Sequence, residues 1–182
     1  MTFFIEFDEV DEFSATAVGE PGSRVFFLNA KAGGERISVR CEKQQVKAIS
    51  TYLRQVLSDL PPPESRPMLS ADATPPGDEA FVLGPIGLGY DRSNDRLLVQ
   101  LEEMVDADFL AADADDAEEA VESGELTEME SPERGHIRFY ITRSQAGAFC
   151  DHADRIVAAG RPQCVWCGNP VDPDGHPCPR MN

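Results

Sequence analysis

Four short apolar runs, Phe3 to Phe7, Ser14 to Val18, Val25 to Ala30 and Ile37 to Cys41, stand out in the first 41 positions. Short apolar runs bounded by turn residues are expected to be strands. The stretches between them, GEPGS at 19–23 and AGGE at 32–35, have turn chemistry, and the strands therefore form a meander. From Glu42 the spacing changes. Val46, Ile49, Leu53, Val56, Leu57 and Leu60 share one face of a helix, which Pro61, Pro62 and Pro63 terminate because proline removes an amide donor and clashes with the preceding turn.

The same order recurs after a break. Phe81 to Tyr90 and Leu97 to Leu101 are expected strands joined by the turn DRSND, and Ile137 to Ile141 is a third. Thr142 is a good N-cap for a second helix, whose apolar positions Ala146, Phe149, Ala153, Ile156 and Val157 lie on one face until Gly160 and Pro162 end it. The segments beginning at Ile37 and Ile137 align without a gap, pairing Val39 with Phe139, Gln45 with Gln145, Ala48 with Ala148 and Val56 with Ile156. The expected fold is α+β: two similar β-β-β-α units, 1–60 and 81–160, forming one domain with an antiparallel sheet and two helices. A proline-rich linker at 61–80 separates them, and a short zinc knuckle occupies 161–182.

Charge is distributed unevenly. The formal net charge of −17 arises largely from 102–133, which holds 14 of the 33 acidic residues and no Lys or Arg; the remainder has 19 acids against 16 bases. The acidic segment is expected to be a solvated insertion: its carboxylates lack the spacing of a calcium loop and are too many for a tuned acid–base pair. No basic stripe offers itself to a phosphate backbone, so nucleic acid is not an expected partner. No apolar run approaches the roughly 20 residues that cross a bilayer, and the first residues have the reverse of a secretory signal's charge pattern. A cytoplasmic protein is expected.

Five cysteines, three of them in the tail, argue for reduced thiols and metal chemistry. Cys41 and Cys150 sit in apolar patterns as buried thiols. The tail reads CVWCGNPVDPDGHPCPR, with Cys164, Cys167, His176 and Cys178 spaced Cys-x2-Cys-x8-His-x-Cys. Three thiolates and an imidazole fill a zinc tetrahedron and leave no open position, which makes the site structural. Its only large apolar side chain is Trp166, so an ion must take the place of a core. An alternative stands beside this: His176 and Cys178 are too close in sequence to ligate together, and His152 or Asp174 completes the shell.

TAVGEPGSRVFFLNA, CEKQQV and RIVAAGRPQCVWCGNPVDPDGHPCPR together resemble the actinobacterial family catalogued as domain of unknown function 3090. The resemblance implies a bacterial cytosolic protein with genes often beside a histidine-phosphatase-like and a kinase-like protein. It implies no catalytic residues.

GPIGLG at 84–89 lacks a Lys-Ser/Thr ending and is a bulged strand rather than a phosphate loop; GEPGSR at 19–24 is a hairpin loop. His136 and His152 have no nucleophile motif near them. The leading functional expectation is a non-enzymatic interaction or adaptor protein with a protein partner, Trp166 being a candidate contact residue. The alternatives are an enzyme acting on a phosphorylated small molecule, with Arg24, Arg36, Arg40 and Arg138 lining a pocket, and nucleic-acid binding through the knuckle.

Overall fold

The computed structural model describes residues 4–62, 76–105, 134–171 and 175–180. Four strands, β1 (Phe4–Phe7), β2 (Glu12–Val18), β3 (Val25–Ala32) and β4 (Glu35–Cys41), precede helix α1 (Lys43–Ser58). Strands β5 (Glu79–Asp91), β6 (Arg96–Glu103) and β7 (His136–Ile141) precede helix α2 (Arg143–Ala158). The acidic insertion, apart from its first four residues, and most of the proline-rich stretch lie outside the described residues, as does Asp174.

All seven strands form one sheet in the order β1-β7-β6-β5-β4-β3-β2. The hairpins β2/β3, β3/β4, β5/β6 and β6/β7 are antiparallel. β4 runs parallel to β5, and β7 parallel to β1, so the sheet is mixed where the sequence led us to expect an antiparallel one. β4 and β5 are consecutive strands joined by a crossover through α1, whereas β1 and β7 lie far apart in the chain and nothing local in either signals the other.

The two ends of the sheet, β1 and β2, are consecutive in the chain. In a flat sheet β7 and β2 would stand five strand spacings apart, about 24 Å at about 4.8 Å each, yet the rings of Phe13 in β2 and Phe139 in β7 are 5.1 Å apart. The sheet is therefore strongly curled, and the link between β1 and β2 carries the chain across the gap. β5 behaves likewise within a single strand: its first half pairs with β4 through Glu79 and Val82, the register shifts between Leu83 and Ile86, and its second half pairs with β6. The bulge expected in GPIGLG is at that shift.

The two helices pack on each other, α1 also touching β3 and β5, and α2 touching β2 and β6. One core fills the space between them and the sheet. Val46, Ile49 and Leu53 of α1 and Ala146, Phe149 and Ala153 of α2 are buried in it, the faces expected from their periodicity. Phe149 stacks on Phe13 with ring centroids 4.4 Å apart and planes 7° from parallel, pinning α2 to the strand at one end of the sheet. Between the helices, the Ser50 hydroxyl donates to Asp154 at 2.8 Å, and Arg54 reaches Asp154 and Asp151 at 2.6 and 3.0 Å.

Each helix starts with a glutamine at its third position that does two tasks. Gln45 Oε1 accepts from the Glu42 amide at 2.8 Å, and Gln145 Oε1 accepts from the Thr142 amide at 2.8 Å. Gln45 Nε2 then donates to the Leu83 and Gly84 carbonyls, at the register shift of β5. Gln145 Nε2 donates to the Val10 and Asp11 carbonyls, in the link between β1 and β2. Where the ladder breaks and frees backbone carbonyls, a helix-start side chain satisfies them.

Candidate metal centre

Beyond α2 the chain turns away at Gly160 and folds into a small hairpin, with a bridge between Gln163 and Pro170. Its tip is the Cys-x2-Cys turn. The Gly168 amide donates to the Cys164 carbonyl at 2.8 Å, the Cys164 amide to the Asn169 carbonyl at 2.8 Å, and the Val171 amide to the Pro162 carbonyl at 2.8 Å. Gly168 has φ +76°, which a side chain at that position would strain, so the turn requires glycine there.

Cys164, Cys167, His176 and Cys178 come together at this tip, their ligand atoms all within 4.8 Å of one another. They lie close enough to bind a metal ion. Cys164 Sγ and Cys178 Sγ are 3.9 Å apart, and Cys167 Sγ and His176 Nε2 are 3.2 Å apart. A tetrahedron with Zn–S bonds of about 2.3 Å and a Zn–N bond of about 2.0 Å would separate two sulfurs by about 3.8 Å and sulfur from nitrogen by about 3.5 Å. The sulfur pair matches that figure and the sulfur–nitrogen pair falls slightly inside it. His176 and Cys178, two residues apart, both have their ligand atoms within 4.8 Å of each other and of the other two.

The backbone also favours thiolates here. The amides of Cys167 and Trp166 donate to the Cys164 sulfur and hold that thiol below its usual range. The Asn169 amide bonds the Cys167 sulfur, but desolvation and the neighbouring thiols Cys178 and Cys164 outweigh it and raise that group. A divalent cation in their midst would turn this mutual repulsion into attraction.

The other histidines lie elsewhere. His152 is buried against β2, hydrogen-bonded to the Ala15 backbone, and desolvation holds it below its usual range. His136, at the start of β7, meets the Phe4 ring edge-on at 4.3 Å. The lone thiols are inert: burial pushes Cys41 up to about 12, and burial raises Cys150 as well.

The four arginines considered for a pocket do not converge. Arg24 and Arg40 line one cavity of about 600 Å³, whereas Arg36 packs beside Gly77. Arg138 lies 3.8 Å from Glu6 and donates to the Tyr140 hydroxyl. Two cations that sequence reasoning passed over, Lys43 and Arg161, do lie near Arg24, lining with it a second cavity beside the first. Strand alternation separates faces, but the approach of α1 and the tail to one corner of the fold carries no local signal.

One family model, described as Protein of unknown function (DUF3090), matches residues 5–178. Comparison with curated proteins and with solved structures yields no match.

Proposed function

The chain belongs to the DUF3090 family, and on that premise we propose that it is a non-enzymatic adaptor whose tail is ordered by a structural zinc ion to present a protein-binding surface. The observation that carries this reading is the exposure of two apolar residues, a valine and the tryptophan, on the turn that the ligands define. Val165 and Trp166 lie between Cys164 and Cys167 and are 90% and 62% exposed, in a segment with no buried residue of its own. Side by side they form a small exposed apolar patch, and tryptophan is enriched among the residues that dominate binding energy.

Zinc suits the donor set, since three thiols and one imidazole are a soft, closed shell, and a closed shell has no place for substrate. Organisation of the fold as two duplicated β-β-β-α units supports a scaffold role. It is suggested by two helices of 16 residues each, by glutamines of matching role at 45 and 145, and by contacts at the same offset of one hundred, Cys150 Sγ meeting the Ser50 carbonyl at 3.5 Å. The reduced thiols accord with a cytoplasmic setting.

The test is capture from native lysate on the zinc-loaded protein. A partner bound in stoichiometric amount should be lost with Trp166→Ala, which leaves the ligands intact, and with Cys164→Ser, which removes one. A partner retained equally by both variants, or none captured by the wild type, would defeat the reading.

A further inference from the structure

We propose that the corner of the fold where β3, β4, the start of α1 and the end of α2 meet is a binding site for a phosphorylated small molecule of nucleotide size. The cavity of about 600 Å³ is lined by Arg24, Arg40 and Lys43 on its charged side and by Phe26, Leu83 and Met104 on its apolar side. A neighbouring cavity of about 280 Å³ shares Arg24, Phe26 and Lys43 and is also lined by Arg161 and Pro170, at the base of the metal hairpin. Ligand pockets typically enclose about 300–1,000 Å³, with mostly apolar walls and a few convergent polar groups.

Three features make the charge unusual. The chain as a whole carries −17, yet four cations line these two joined hollows and Glu42 is the one acid among their described lining residues. Three of them are poorly neutralised: Arg40 is 3.7 Å from Glu79, and Arg24 makes a 3.5 Å bond to the Ile156 carbonyl at the end of α2. The Lys43 side chain makes no hydrogen bond or ion pair among the described residues. Glycines also allow the cations to lie against the backbone. A Cβ at Gly160 would stand 3.2 Å from Lys43 Nζ, and one at Gly22, where φ is +105°, would stand 3.0 Å from Arg161 Nε.

Guanidinium forks match phosphate oxygens, while the ammonium serves as a compact point charge. The apolar wall of Phe26, Leu83 and Met104 suits the uncharged body of such a ligand. The cavity holds no activated nucleophile, because its one thiol, Cys41, is held protonated by burial.

Calorimetric titration of the full-length, zinc-loaded protein tests this with four probes: magnesium-free ATP, adenosine, citrate and inorganic phosphate. ATP is expected to bind with a dissociation constant below about 1 mM, adenosine and inorganic phosphate at least tenfold more weakly. Arg24→Ala and Lys43→Ala should each weaken ATP at least tenfold, and Lys43→Arg should restore most of the loss. Lys43 is exposed, so its variants keep the fold, as a thermal melt would verify. Absence of ATP binding at 5 mM, unchanged affinity in the two alanine variants, or citrate binding as tightly as ATP would overturn the proposal. None of these outcomes touches partner capture by Trp166, so the two ideas fail separately.

Discussion

Removing the metal should unfold the hairpin and leave the rest of the protein standing. The eight residues from Cys164 to Val171 contain no buried side chain and are tied by three backbone hydrogen bonds. Ordering them costs about 12 kcal/mol, at about 1.5 kcal/mol per residue, while three hydrogen bonds return about 3 kcal/mol net. The shortfall of about 9 kcal/mol is close to the 10–16 kcal/mol, roughly, that a structural zinc site supplies at neutral pH. The core is independent of this sum, since none of its buried members lies beyond Ala153. Trp166 is the protein's single tryptophan, so its fluorescence anisotropy reports on the hairpin alone. On adding chelator, anisotropy should fall and the Gly168 and Val171 amides should exchange at the rate of an unfolded peptide, with α1 and α2 still protected. Protection at Gly168 and Val171 that survives complete metal removal would refute the reasoning, as would loss of protection throughout the helices.

Phe13→Ala removes a ring packed between Phe139 and Phe149 and should cost about 3–5 kcal/mol by urea denaturation. Gln145→Ala leaves the Val10 and Asp11 carbonyls without that donor and the helix without its reciprocal cap, for a loss of about 1–3 kcal/mol on the same assay. Alkylation counted by mass spectrometry should label no cysteine in the zinc-loaded fold at pH 8, three after chelation and all five after unfolding, because Cys41 and Cys150 are buried. Burial holds His152 below its usual range, so as pH falls through the unfolded value of about 6.5 the unfolded chain takes up the proton first and stability declines. Between pH 6.5 and 5 the stability of His152→Gln should fall less steeply than that of the wild type.

Local features of the chain were legible where local physics decides them. The helix starting after Glu42 follows from a 3.6-residue period and a proline stop, and the grouping of Cys164 and Cys167 from their spacing before Gly168. Both concern residues close in sequence. The equivalence of Gln45 and Gln145 could be seen as an alignment, but its meaning depended on which carbonyls stand free, and those belong to breaks in the sheet near Gly84 and Val10. The mixed sheet escaped notice for the same reason: β1 meets β7 across more than a hundred residues, and a strand's own pattern does not name its partner. Of the arginines grouped in advance, Arg24 and Arg40 share a cavity because β3 and β4 are neighbours, whereas Arg36 and Arg138 point to other surroundings. Lys43 and Arg161 join Arg24 through the packing of α1 and the tail against α2, which no short stretch of sequence encodes.

Elemental analysis of protein purified without chelator is the most direct measurement. One zinc ion should accompany each chain, survive dialysis, and be absent from Cys164→Ser, whose shell lacks one thiolate. Wild-type protein that folds and carries less than about a tenth of an equivalent of zinc, or that loads equally well without Cys164, would contradict a tail ordered by a four-ligand ion.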